Sequence, residues 1–107
     1  MARILIVDDE QSIRETLREI LEYEGYEIEE AKDGEKAIAL IKKYNYDAVL
    51  SDIKMPKLDG IEVLEKAKTI APELPFIMIS GHGTIETAIE ATKKGAFNFI
   101  NKPPDLN

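Results

Sequence analysis

The run RILIVDDE at residues 3–10 decides the fold. Ile4, Leu5, Ile6 and Val7 make an apolar stretch that is short and rich in β-branched residues. Such a stretch suits a strand covered on both faces, as the strands of a parallel sheet are. Asp8 and Asp9 end it abruptly. The next segment sets Ile13, Leu17, Ile20 and Leu21 at helical spacing among Arg14, Glu15, Arg18 and Glu19, which predicts an amphipathic helix closing near Gly25. Asp9 and Ser12 are both candidate caps for its start.

The alternation continues along the chain. Residues 26–31 read as an edge strand, and Asp33-Gly34 as a turn. Ala37, Ile38 and Ile41 mark a second helix reaching Tyr44, and residues 48–51 a third strand ended by Asp52. After the loop KMPKLDG at 54–60, Ile61, Leu64 and Ala67 predict a third helix stopped by Pro72. Residues 76–80 read as a buried strand, and 84–94 as a fourth helix with Ile85, Ala88 and Ile89 inward and Gly95 closing it. Residues 97–100 form the last strand. Strict alternation implies parallel βαβ units with right-handed crossovers, hence an α/β, doubly wound sheet of five strands. Pro103-Pro104-Asp105 reads as the lead-in to a fifth helix that nothing after Asn107 supplies. The expectation is a fifth helix absent or truncated, in a fragment of a longer chain.

At 107 residues the chain is long enough for one domain and too short for two. A hydrophobic share of 44% and a charged share of 33% are globular values. The net charge of −7 speaks against direct binding to a nucleic-acid backbone and suits a well-solvated surface. With no cysteine there is neither disulfide nor thiolate metal site. No run is apolar enough to span a bilayer and no signal-peptide pattern opens the chain, so a cytoplasmic location without membrane contact is expected.

Polar groups follow on four of the five expected strands: Asp8 and Asp9, Asp52, Ser80, and Lys102. In a doubly wound sheet these positions share the carboxyl edge, where ligands bind at the point of strand-order reversal. If the order is 2-1-3-4-5, that point lies where Asp8, Asp9 and Asp52 meet; periodicity alone does not determine the order. Two like charges about 4 Å apart repel by roughly 4 kcal/mol at an effective dielectric near 20, so a proton or a bound cation must relieve the cluster. All-oxygen ligation suits Mg²⁺ or Mn²⁺ better than zinc. Carboxylates, a divalent cation, an ammonium group and a hydroxyl around one cavity make a site for a phosphoryl group. Any one of these acids alone is more often a helix cap or a solvated loop residue; the conjunction is what favours chemistry.

The motifs also carry a resemblance. ILIVDDE at 4–10, LSDIKMPKLDG at 50–60, ISGHGT at 79–84 and FINKP at 99–103 resemble the receiver domain of bacterial two-component response regulators, over nearly the whole chain. The stretch SGHGTIETAIEATKKGA at 80–96 looks more narrowly like receivers of NtrC-type activators of sigma-54-dependent transcription. The resemblance implies the flavodoxin-like receiver fold with strand order 2-1-3-4-5. It implies Asp52 as phosphoacceptor for a sensor histidine kinase. Asp9 and the Lys54 backbone carbonyl, with Asp52, would ligate Mg²⁺ or Mn²⁺, and Asp8 would act largely through water. Lys102 would pair with phosphoryl oxygens and precede a cis bond to Pro103; Ser80 is the switch hydroxyl and Phe99 the rotating aromatic. It further implies a signalling domain rather than an enzyme, an output domain beyond Asn107, and a homodimer. Two departures stand out. Pro104 follows Pro103 where the family has an aromatic residue, and without a fifth helix the family's signalling face is incomplete.

His82, the sole histidine, and Lys54 are candidates for tuning how fast water removes the phosphate. Phe99 also reads as a simple core aromatic. Three other functions compete. A flavodoxin-like ligand-binding domain would cradle phosphate in a Gly- or Ser/Thr-rich first loop, whereas Asp8-Asp9-Glu10 repels it without an intervening metal. An aspartyl phosphatase would carry an acid two residues past its nucleophile, where Lys54 stands. A degenerate receiver signalling without phosphate would not need Asp8, Asp9, Asp52, Ser80 and Lys102 together.

Overall fold

The computed structural model describes residues 1–81 and 85–101. Nine elements alternate along them: β1 (Arg3–Val7), α1 (Gln11–Tyr23), β2 (Glu27–Ala31), α2 (Gly34–Lys43), β3 (Ala48–Asp52), α3 (Gly60–Ile70), β4 (Phe76–Ser80), α4 (Ile85–Lys93) and β5 (Asn98–Asn101). The strands form one parallel sheet in the order β2-β1-β3-β4-β5. The α/β doubly wound architecture and the order 2-1-3-4-5 are thereby established. The expectation of a missing fifth helix falls on residues 102–107, outside the described residues.

Alternation along each strand sends apolar side chains to both faces. Leu5, Val7, Val49, Phe76 and Met78 pack with Ala37 and Ile41 of α2, Val63, Leu64 and Ala67 of α3, and Ala91 of α4. Ile6 and Ile79 point the other way, against Ile13 and Leu17 of α1. The sheet is thus sandwiched, with α1 on one face and α2, α3 and α4 on the other. No helix among the described residues is long and apolar enough to cross a membrane.

Several local expectations need correction. Neither Asp9 nor Ser12 caps α1: the N-cap is Glu10, which makes no side-chain cap bond, and Ser12 lies inside the helix. Asp33, read as a turn residue, is the N-cap of α2 and accepts from the Lys36 amide. Tyr44 leaves that helix in extended conformation instead of prolonging it. In α4, Ile85 is 80% exposed and Ile89 49%, while Ala91 is fully buried. The helix therefore rests on its small residues, which allow closer approach to the sheet, and turns its isoleucines outward. β5 begins one residue late, leaving Phe97 exposed.

Candidate phosphoryl-acceptor and metal site

Strand register explains why three acids meet. Ile6 and Leu50 are paired neighbours on β1 and β3. Asp8 and Asp52 each stand two residues further along, so both side chains leave the sheet on the same face, about one strand spacing of 4.7–4.9 Å apart. Asp9 follows at the mouth of the β1–α1 loop. The three residues each offer a carboxylate oxygen, all within 4.8 Å of one another. Asp8 is fully buried and Asp52 nearly so, whereas Asp9 is exposed. The cluster is therefore an acidic floor with one member at the solvent edge.

Backbone amides fix the two buried acids. The Glu10 amide donates to Asp8 Oδ1 and the Ile53 amide to Asp52 Oδ1, both at 2.9 Å. The Asp8 amide itself donates to the Ala31 carbonyl of β2, and Arg14 Nη1 donates to the Asp8 carbonyl at 2.7 Å. The two peptide groups flanking Asp8 are thus each tied down, the Val7–Asp8 amide to β2 and the Asp8–Asp9 carbonyl to α1. Gly60 closes the far wall: its amide donates to the Ile53 carbonyl at 2.7 Å, and a Cβ there would collide with the Asp52 carbonyl oxygen.

Ser80, the last residue of β4, is buried next to β3, and its register partner on β5 is Asn101. Phe99 is half-buried and packs against the larger core cluster. Lys54 is exposed two residues past Asp52. With Ile53, Met55, Pro56, Thr87 and Glu90 it lines an open groove of about 500 Å³ between the β3–α3 loop and α4. In that loop Lys57 takes a left-handed φ of 68°, uncommon for a residue with a side chain. Lys102, its bond to Pro103, and His82 lie outside the described residues.

Three close carboxylates offer only hard oxygen donors, and their mutual repulsion falls when a cation binds. The set fits a divalent cation of oxygen preference. A family model described as the response regulator receiver domain matches residues 4–107. The chain belongs to this family. This receiver domain is 47% identical over 102 residues to the nitrogen assimilation regulatory protein NtrX of Azorhizobium caulinodans, covering 94% of the chain and 22% of that relative. The domain spans about a fifth of that relative's length. Among solved structures, the beryllofluoride-activated NtrC4 receiver domain dimer superposes with a TM-score of 0.90 at 42% identity, over 96% of this chain and 85% of that one. The response regulator TrrA of Thermotoga maritima, in complex with Mg²⁺-BeF, gives 0.89 at 34% identity, over 100% and 91%. The NtrC-like character of residues 80–96 agrees with the first two of these proteins.

Residue patterns alone did not single out Arg14 and Glu30. Arg14 was one of several charges on a helix face, yet it reaches back to Asp8 and pairs with Glu30 at 3.1 Å. Only the neighbouring position of β2 and α1 reveals this.

Proposed function

We propose that Asp52 accepts a phosphoryl group from the phosphohistidine of a sensor kinase and that this switches an output domain, transcriptional in kind. The observation that carries the reading is the meeting of Asp8, Asp9 and Asp52 within 4.8 Å at the reversal point of a receiver-family sheet. An Asp52 carboxylate oxygen attacks phosphorus as the phosphorus–nitrogen bond breaks, and the imidazole leaves with the electron pair and is protonated. The Ile53 amide on Oδ1 holds the carboxylate in one orientation for that attack. Asp8, Asp9, Asp52 and the Lys54 carbonyl are the residues that would hold Mg²⁺ or Mn²⁺, which when bound neutralises charge on the phosphoryl oxygens.

In this reading Lys102 neutralises a further phosphoryl oxygen, while Ser80 and Phe99 report the phosphorylated state through the β4–β5 side of the sheet. Bonding to phosphate shifts the population only as far as it is better in one state than in the other. Lys54 and His82 tune hydrolysis. The domain works as a cytoplasmic signalling module that catalyses its own phosphoryl transfer and loss rather than acting on a separate substrate. The kinase, the output domain and pairing as a homodimer belong to the same proposal. Its test is intact-mass spectrometry after incubation with Mg²⁺ and acetyl phosphate. One labile phosphoryl group is expected on the parent and none on Asp52→Ala; a folded parent that gains none in the presence of Mg²⁺ overturns the reading.

A further inference from the structure

We infer that Arg14 is a positioning residue for the metal-binding acids, acting through the Asp8–Asp9 peptide and held in place by Glu30. This rests on the reading of the acidic cluster as a cation site.

Beyond Val7 the first strand has ended, and the next carbonyl in the chain is that of Asp8. That carbonyl belongs to the peptide joining Asp8 to Asp9, so its orientation sets the direction in which both carboxylates leave the backbone. Arg14 Nη1 donates to it at 2.7 Å, from one turn inside α1. The same guanidinium donates through Nε to Glu30 Oε1 at 3.1 Å. Glu30 is shared, because its other oxygen lies 3.1 Å from Arg18 Nε. Arg18 is tied in turn to the Ile28 carbonyl of β2 by Nη2 at 2.9 Å. Side-chain exposures of 14% for Arg14 and 23% for Glu30 place the pair out of most solvent. A planar fork with several donors suits this double duty, which a single ammonium group serves only in part. A network of α1, β2 and the end of β1 therefore converges on one peptide group.

Charge and position make opposite predictions for this residue. A cation next to the acids opposes binding of a second cation, so by Coulomb's law alone its removal tightens Mg²⁺ binding. If Arg14 chiefly orients the Asp8–Asp9 peptide, its removal weakens binding, as loss of groups that orient metal ligands generally does. The sign of the change separates the two.

The experiment is a MgCl₂ titration followed by NMR of the Glu10 and Ile53 amides, which report on Asp8 Oδ1 and Asp52 Oδ1. Arg14→Met keeps the aliphatic stem and removes charge and donors; the Mg²⁺ dissociation constant is expected to rise about tenfold. Arg14→Lys is expected to recover a large part of the loss, and Glu30→Gln, which leaves Arg14 in place but loosens it, to show a smaller rise. Glu30→Gln and Arg14→Lys carry the test if Arg14→Met does not fold. A merely structural residue lowers the thermal midpoint in EDTA while leaving the dissociation constant unchanged. Unchanged or tighter binding in the folded variants overturns the inference while leaving the cation site standing. A parent that binds no Mg²⁺ overturns both.

Discussion

Gly60 shows how closely one residue can be constrained by a site it does not belong to chemically. It opens α3, yet a Cβ on it would overlap the Asp52 carbonyl oxygen and come within 2.8 Å of Met78 Cε and 2.9 Å of Ile53 Cα. Two of these neighbours are backbone and cannot swing aside. Gly60→Ala is therefore expected to push the start of α3 off the end of β3, at a cost of about 1–3 kcal/mol, the range for overpacking a filled interior. A urea titration measures the loss, and slower labelling of Asp52 by acetyl phosphate should accompany it. A variant as stable as the parent would show that the helix start yields freely. The sequence made Asp8, Asp9 and Asp52 legible because each directly follows a short apolar run, and strand ends in a parallel sheet share an edge. It left Gly60 looking like an ordinary loop glycine. The close approach depends on how tightly α3 packs on β3, which no local pattern records.

The helices differ in how they begin, and that difference is testable element by element. In α3 the Asp59 side chain accepts from the Glu62 amide at 2.9 Å while Glu62 reaches back to the Asp59 amide at 3.1 Å, a complete capping box. Asp33 serves α2 through the Lys36 amide at 2.8 Å. α1 has no side-chain cap. Asp59→Ala and Asp33→Ala should each lower stability by about 0.5–2 kcal/mol, seen as a lower urea midpoint at unchanged slope. Ser12→Ala should stay within about 0.5 kcal/mol of the parent, because Ser12 lies inside α1 and is exposed. A large loss at Ser12 would mean that α1 starts differently from the geometry here. Element order was legible throughout, since the period changes from apolar run to helical spacing at every boundary. The facing of α4 was not. Its large apolar residues, Ile85 and Ile89, suggested one inward face, but a helix can approach a sheet more closely on alanine, and Ala91 decided the rotation.

For the molecule as a whole, the acidic cluster sets function against stability. Three carboxylates within 4.8 Å, in a chain of net charge −7, are held together by a fold that strand register imposes whether or not a cation is present. In a metal-free solution, removing one charge should relieve repulsion. Asp9, the exposed member, is the one whose change least disturbs packing. Asp9→Asn is expected to raise the thermal midpoint in EDTA, and the gain should shrink in high salt, which screens an exposed charge. Added Mg²⁺ should reverse the order. A ligand that binds only the folded state stabilises it by about 2.7 kcal/mol at a hundredfold excess over its dissociation constant, and the parent should gain this while Asp9→Asn gains far less. The two stability curves, plotted against Mg²⁺ concentration, should therefore cross. The crossing is the discriminating feature: an Asp9→Asn protein less stable than the parent at every Mg²⁺ concentration would mean that Asp9 supports the fold itself. Parallel curves would mean that Asp9 contributes nothing to cation binding.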